Sequence, residues 1–320
     1  MLPLFLFYKY INLKKNKILI TGASGFIGRH VLNAIIQNPI YEVHCIIHQK
    51  SILESRGNLY FHYFDMLDFS QRANERLEEL LKIIQPYSCM HLAWYTGHKD
   101  YLISELNKKW EKASIRLIEL FYKSGGIRFI STGTCIEYDL NQEGLHCEEL
   151  TPLYPQTLYA ESKMNVLNFL KQLNTIHPIN FLWARIYFVY GPGEQNTRLV
   201  PYIINSLQKN QYAEPNNGKA YRDYIYVKDL AKQLIALLES DALGIINTGS
   251  GKPTRVQDIF NTIGRISNKE QLIIQDYKNL PSEVPMIIAP DLTLFNLYVT
   301  QFNYMSLEEG LKETMNNYTT

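Results

Sequence analysis

The chain has 320 residues, of which 46% are apolar and 20% charged; that balance belongs to a globular protein with a sizeable core and excludes a disordered chain. Lys and Arg number 32 against 31 Asp and Glu, a net charge near +1. No field of one sign draws such a chain to nucleic acid or to an anionic membrane, so an anionic ligand must be held by a local site.

The opening segment, MLPLFLFYKYINLKKNK, carries a short apolar run whose positive charges follow it. It shows no small-residue cleavage site and is too short to span a bilayer, so residues 1–16 are expected to be an extension and not a signal peptide. Residues 17–21 (Lys-Ile-Leu-Ile-Thr) read as a buried strand running into glycines, after which Phe26, Ile27, His30, Val31, Ala34 and Ile35 recur at helical spacing. Further apolar runs lie at 43–47, 59–64, 87–93 and 127–131, and a helix over 156–174 precedes a run at 180–186. Short apolar strands alternating with longer helices specify βαβ units and a buried parallel sheet. Right-handed crossovers make it an α/β doubly wound sheet of the Rossmann type. After Gly191-Pro192-Gly193 the pieces shorten and prolines multiply. The expected division is a dinucleotide-binding domain over 17–190 and a smaller substrate-binding region over 191–320, with 227–238 packing back on the first domain.

Cys45, Cys89, Cys135 and Cys147 form no CxxC pair. They read as free thiols in a reducing, cytoplasmic compartment, with neither a disulfide framework nor a metal expected.

Thr21-Gly22-Ala23-Ser24-Gly25-Phe26-Ile27-Gly28 follows a strand and opens a helix. In that context Gly22 permits a tight turn, Gly25 a close approach of backbone to a pyrophosphate, and Gly28 close packing of helix on strand. The helix N-terminus presents N–H groups and partial positive charge to phosphate. The candidate cofactor-binding residues there are Gly22, Ser24, Gly25, Phe26, Ile27 and Gly28. The strand over 42–47 ends in His48-Gln49-Lys50 without an acid, and Arg29 adds positive charge just past the glycines. An acid at that strand end would bond the ribose hydroxyls of NAD and repel a 2′-phosphate. Its absence, with His48 and Arg29 present, favours NADP(H) over NAD(H), which stays open.

Tyr159 and Lys163 stand four residues apart, so a helix places them on one face. A free tyrosine, with a pKa of about 10, yields its proton reluctantly at neutral pH. A nearby ammonium and an oxidised nicotinamide both favour the phenolate. The pair therefore suits proton transfer at a substrate oxygen while hydride moves at its carbon.

GxxGxxG, His91-Leu92-Ala93 and Tyr159-Ala160-Glu161-Ser162-Lys163 together resemble the extended short-chain dehydrogenase/reductases, the NAD-dependent epimerase/dehydratase family, many of which act on nucleotide sugars. Tyr190-Gly191-Pro192-Gly193 and Arg222-Asp223-Tyr224-Ile225-Tyr226-Val227-Lys228-Asp229 extend the resemblance, which covers roughly residues 17 to 315. It implies a third catalytic residue, Thr134, set by registering Glu137-Tyr138 on the family's Val-Tyr, with Ser131 and Thr132 as alternatives that could instead satisfy loop backbone. It further implies that Leu92 and Ala93 line the cofactor, that Asp65 contacts the adenine, that Lys163 touches the nicotinamide ribose, and that Arg222 binds the substrate diphosphate. Thr134 and Tyr159 would contact the sugar. Asp65 has a second reading as a helix cap, and Arg222 a second reading as an ion-pair partner of Asp223 or Asp229.

The chain also departs from the family. Trp110 stands where relatives carry an Asn on the fourth helix, with Asn107 one turn earlier as the nearest substitute. Cys135-Ile136 replaces the Asp-Glu pair of sugar dehydratases, and Phe188 replaces an Asn before Tyr190-Gly191-Pro192. Trp94, Tyr95 and Tyr187 read either as lining for a sugar pocket or as core. The resemblance is strongest to nucleotide-sugar 4-ketoreductases and implies reduction of a 4-keto group on a nucleotide-linked, dTDP-type 6-deoxy sugar. The alternatives are a 4-epimerase with tightly held NAD and a catalytically idle cofactor-binding regulator. The expected partner is a small-molecule nucleotide sugar, with neither nucleic acid nor membrane, and a homodimer is compatible.

Overall fold

The computed structural model describes residues 16–48, 55, 57–97, 99–142, 144–276, 281 and 284–318. Apart from Asn16, the extension expected at 1–16 lies outside the described residues, as do Gln49 and Lys50. In chain order the strands are Lys17–Thr21 (β1), Glu42–Ile47 (β2), Leu59–Tyr63 (β3), Ser88–His91 (β4), Arg128–Thr134 (β5), Asn180–Ile186 (β6), Phe188–Tyr190 (β7), Tyr221–Tyr226 (β8), Gly244–Thr248 (β9), Pro253–Arg255 (β10) and Ile287–Ile288 (β11). Seven of them form one sheet in the order β3-β2-β1-β4-β5-β6-β9. The pairs from β3 through β5 are parallel, with Leu19 opposite His44 on one side and Cys89 on the other. The chain winds outward from β1 through β2 and β3, then outward the other way from β4. This is the expected doubly wound arrangement, and it puts the topological switch at the C-terminal ends of β1 and β4, where such sheets hold ligands.

By contacts the chain forms two compact units. The first takes the residues through Gly133, then Gln156–Ala184 and Asp241–Ile245. The second takes Thr134–Pro155, Arg185–Ser240 and the residues from Ile246 onward, so that 227–238 fall within it.

In the first unit the helices Phe26–Ile35 (α1), Gln71–Ile84 (α2), Leu106–Lys123 (α3) and Leu158–Ile176 (α4) follow the apolar periodicity. Ser70 starts α2 by accepting from the Ala73 N–H at 3.2 Å, and Gln85 ends it in a left-handed conformation at φ 48°. Thr157 caps α4 in the same way through Ala160, a device worth about 1 kcal/mol. That cap puts Tyr159 in the helix's first turn. Leu19, Ile46, Cys89, Phe129 and Trp183 from the strands pack with Leu77 and Leu81 of α2, Leu117 and Phe121 of α3, and Leu167 and Leu170 of α4.

The second unit has its own small sheet: β8 pairs with β10 antiparallel and with β7 and β11 in parallel. Its helices include Leu199–Gln208 (α5), Val227–Glu239 (α6) and Val256–Ile266 (α7). Among the described residues no helix is long and apolar enough to cross a membrane, and no group of His, Cys, Asp and Glu is arranged to hold a metal ion.

Candidate functional site

The glycine turn is held by sterics that only glycine meets. Gly22 sits at φ +74°, the left-handed region, and a Cβ there would lie 2.6 Å from the Ala93 nitrogen and 2.7 Å from the Leu92 carbonyl carbon. The turn after β1 and the Leu92-Ala93 stretch after β4 are therefore in backbone contact across the switch point. A Cβ on Gly28 would lie 2.0 Å from the Gly22 carbonyl oxygen, so α1 approaches the turn after β1 more closely than alanine allows. Gly25, the N-cap of α1, supplies no side-chain cap, and the first turn holds no acid. The helix's leading N–H groups thus keep their capacity for an anion, the property a pyrophosphate site requires. Ser24 and Arg29 are exposed and Phe26 and Ile27 half-buried at that end. The Arg29 Nε donates to the Gly25 carbonyl at 3.2 Å.

At the end of β2, the exposed His48 has its Nδ1 3.6 Å from the Asp65 Oδ1. Asp65 does not cap α2, which Ser70 does; its carboxylate accepts the Leu67 N–H at 2.8 Å in the turn after β3. The helix-cap reading of Asp65 is thereby replaced by a turn role, and an acid stands beside His48 although the C-terminal end of β2 contributes none.

His91 ties the switch point together. Its Nε2 lies 2.8 Å from the Ser114 Oγ, whose own proton goes to the Trp110 carbonyl at 2.7 Å. Ser114 can then only accept, so the ring's proton is on Nε2, and Nδ1 accepts from the Thr21 hydroxyl at 2.6 Å. Thr21 Oγ1 in turn accepts the Ala93 N–H at 3.3 Å. Burial, then the charge of Lys163, holds the imidazole down to about 3, so it is neutral. The His91-Leu92-Ala93 motif is a brace between β1, β4 and α3.

Tyr159 and Lys163 lie on one face of α4, as their spacing requires. Tyr159 is half-buried, and its N–H donates to the Leu102 carbonyl at 3.0 Å. Lys163 is only 3% exposed, and its ammonium donates to the Thr132 carbonyl at 2.8 Å. The same nitrogen sits 3.9 Å from the centroid of the Trp94 ring and 5.9 Å from that of Tyr159. The Tyr159 ring meets Tyr101 and Trp94 edge-on at 5.2 and 6.2 Å. The Trp94 indole N–H donates to Asn107 Oδ1 at 2.9 Å, and the Asn107 amide donates to the carbonyls of Tyr101 and Ser104 at 2.6 and 2.9 Å. Asn107, fully buried, is spent on holding Trp94 and the 101–104 turn. Trp110 packs on the core cluster. Of the alternatives to Thr134, Ser131 is buried with its hydroxyl directed at the His91 carbonyl at 3.4 Å, and Thr132 is the residue whose carbonyl receives Lys163.

Thr134 falls in the second unit. It caps a single 3₁₀ turn, Cys135–Glu137, through a reciprocal pair: its hydroxyl accepts the Glu137 N–H while the Glu137 carboxylate accepts the Thr134 N–H at 2.9 Å. The other carboxylate oxygen of Glu137 accepts from the Arg185 Nε at 2.7 Å, with both side chains 0% exposed. A fully buried ion pair thus holds the Thr134 turn, a feature the amino-acid pattern hides because its partners are 48 positions apart. Cys135, beside Thr134, is buried, and burial pushes its thiol up to about 12. Tyr187 is core, hydrogen-bonded to His146 Nδ1 at 3.1 Å, while Tyr95 donates to Asp100 at 2.6 Å.

Arg222 lies on β8 and is 9% exposed, with one Nη bonded to the carbonyls of Tyr221 and Pro285 at 2.7 and 3.0 Å. The acids that could have paired it are engaged elsewhere. Asp223 accepts from the N–H groups of Ser250 and Lys252, and Asp229 accepts the Met305 N–H. Arg222 lines a cavity of about 530 Å³, a volume ordinary for small-molecule sites. Phe188, Tyr202, Tyr224 and Phe260 supply its aromatic walls, and Glu214, Asn216 and Asn217 polar edges. Apart from Arg222 and Phe188 these walls were not legible in the amino-acid order.

A model of the NAD dependent epimerase/dehydratase family matches residues 18–249. Similar characterised proteins include dTDP-6-deoxy-L-talose 4-dehydrogenase (NAD(+)) of Aggregatibacter actinomycetemcomitans, 28% identical over 74% of this chain and 85% of its own. CDP-abequose synthase of Salmonella typhimurium is 25% identical over 71% of each chain. Among solved structures, a UDP-N-acetylglucosamine 4-epimerase from Methanobrevibacter ruminantium M1 superposes with a TM-score of 0.81 at 22% identity, over 95% of this chain and 98% of that one. That likeness shows the fold.

Proposed function

We propose, for a chain that belongs to the NAD dependent epimerase/dehydratase family, reduction of the 4-keto group of a nucleotide-linked 6-deoxy sugar, with Tyr159 as proton donor. The observation that carries this reading is the Tyr159/Lys163 pair on one face of α4, with the Lys163 ammonium buried and anchored. Two relatives named above, one named for a dTDP-linked 6-deoxy sugar and one for a CDP-linked product, support the substrate class. The uncapped N-terminus of α1, with Ser24, Phe26, Ile27 and Arg29 around it, fits a dinucleotide pyrophosphate, and Leu92, Ala93 and Lys163 would hold its nicotinamide half. When bound, the nicotinamide supplies the hydride. The chain's own part is the proton. Tyr159 Oη gives it to the alkoxide forming at the sugar's C4, and the Lys163 ammonium stabilises the phenolate left behind. Thr134 would hold the substrate oxygen through a hydrogen bond, and Arg222 would take the diphosphate from the aromatic-walled cavity. We favour NADP(H), because β2 ends at His48 without an acid of its own; Asp65, beside His48, is the group that could reverse that preference. Four free thiols suit a cytoplasmic setting.

The test is a set of incubations with NADPH or NADH and a panel of 4-keto-6-deoxy nucleotide sugars, followed at the reduced-nicotinamide absorbance. Stoichiometric consumption supports reduction; isomerisation of a nucleotide sugar without net consumption identifies the 4-epimerase alternative. Tyr159→Phe, which keeps the ring and deletes the hydroxyl, should cut turnover roughly a hundredfold to ten-thousandfold. A folded variant with wild-type turnover sinks the mechanism.

A further inference from the structure

We propose that Trp94 is a positioning residue for Lys163, its indole face holding the buried ammonium in its charged form at a fixed place beside Tyr159. The proposal rests on the reading of Tyr159 and Lys163 as the proton-transfer pair. It starts from an electrostatic difficulty: Lys163 is 3% exposed, and burial disfavours a charged ammonium. An ammonium that lost its charge would no longer favour the Tyr159 phenolate.

The structure meets that difficulty with an aromatic cage. The Lys163 nitrogen sits 3.9 Å from the Trp94 ring centroid, well inside the range of cation–π attraction, with the Trp183 ring at 6.0 Å and the Thr132 carbonyl at 2.8 Å. Its titratable neighbours include Tyr159 on the same helix and the neutral His91, which senses the Lys163 charge. A π-face attracts a cation without accepting its proton, unlike a carboxylate, so the charge stays available to the tyrosine. The cage is itself fixed. Asn107 takes the Trp94 indole N–H and, through its amide, grips the carbonyls of Tyr101 and Ser104. The same turn presents the Leu102 carbonyl to the Tyr159 N–H and the Tyr101 ring to the Tyr159 ring. One asparagine therefore sets both the platform under Lys163 and the wall beside Tyr159.

Two measurements on the full chain test this. In protein carrying ¹⁵N/¹³C-lysine, the Lys163 signals are identified by their loss in Lys163→Met. The wild-type ε-protons should be shifted upfield by the indole ring. In Trp94→Leu that shift should vanish, and the ammonium should lose its proton at a lower pH, by on the order of one unit. Trp94→Phe, which retains an aromatic face, should keep part of both effects and guards against a leucine variant that fails to fold. An unchanged Lys163 titration in folded Trp94→Leu or Trp94→Phe overturns the proposal. The second readout is the pH profile of turnover with NADPH and a 4-keto-6-deoxy dTDP sugar. Weakening the ammonium raises the tyrosine's pKa, so the limb assigned to Tyr159 should move upward in Trp94→Leu, and a limb that stays put overturns it too. If Tyr159→Phe retains full turnover, the proton-transfer reading fails on its own, and the resonance titration still decides whether Trp94 holds the lysine charge.

Discussion

The buried pair behind Thr134 allows a stability prediction with a definite size. Glu137 and Arg185 are both 0% exposed and 2.7 Å apart, and the same carboxylate receives the Thr134 N–H. Glu137→Gln keeps the shape but offers one acceptor oxygen for two donors. If that oxygen stays with the Thr134 amide, the new NH₂ faces the Arg185 Nε, donor against donor, and a guanidinium is left buried without its counter-charge. Removing one partner of such a pair costs about 3–5 kcal/mol, because the remaining charge has no water to turn to. The double variant Glu137→Met with Arg185→Met removes both charges and should lose markedly less than the single change, since a buried pair replaced by apolar groups is often near neutral. Urea unfolding followed by circular dichroism measures both. A Glu137→Gln protein within about 1 kcal/mol of wild type would refute the idea that the pair holds the Thr134 turn, as would a double variant weaker than the single one.

Three further outcomes are expected. Arg222→Ala should raise the nucleotide-sugar KM by roughly tenfold to a hundredfold with little change in cofactor affinity, the worth of a lost charged contact of about 1.5–3 kcal/mol; an unchanged KM places the diphosphate elsewhere. Fluorescence titration should give a lower dissociation constant for NADPH than for NADH, and Asp65→Asn should widen the gap by removing the acid near His48; equal constants in both proteins would show that the end of β2 does not select the cofactor. Burial raises the Glu194 carboxyl to about 8 from its ordinary 4.5, so the folded state keeps a proton that the unfolded chain has released. Its cost to stability is therefore absent at pH 4, grows as pH rises through 4.5, and levels off near 8. Glu194→Gln should accordingly melt with wild type at pH 4 and above it at pH 8, and a difference independent of pH contradicts that account.

The sheet, the glycine turn and the Tyr159/Lys163 face were legible because each is a local pattern. Residues 18–21 are buried one after another, which a strand covered on both faces tolerates, and a four-residue spacing needs only a helix to become a shared face. The features that escaped are set by pairings distant in the chain. Asn107 looked like a displaced stand-in for the family's asparagine, yet its amide is consumed by Trp94, Tyr101 and Ser104. Trp94 stood next to a recognisable motif, but nothing in its neighbours says that its ring lies under the Lys163 ammonium. The aromatic cavity draws on β7, β8, α5 and α7, so no single window of sequence contains it. The second reading of Asp65, as a helix cap, arose because a helix follows, whereas Ser70 lies closer to that helix and takes the role.

The chemistry open to this site is narrowed by what flanks Thr134. Elimination of water from a sugar needs a group beside the reacting carbon that takes one proton and a group that gives another. The two residues after Thr134 are Cys135 and Ile136. Isoleucine has no proton to exchange, and the cysteine thiol, buried and pushed up to about 12, stays protonated across the range in which an enzyme works. Glu137, the nearest carboxylate in that turn, is committed to the Thr134 N–H and the Arg185 guanidinium. Freeing it for proton transfer would break the buried pair that holds the turn. The 3₁₀ turn therefore offers shape and a hydroxyl, and on the proposed reading the exchange of protons is assigned to Tyr159. One proton-transfer residue with one ammonium behind it is sufficient for interconverting a carbinol and a ketone. On that reading the turn after Thr134 supplies neither of the proton-transfer groups that dehydration would need.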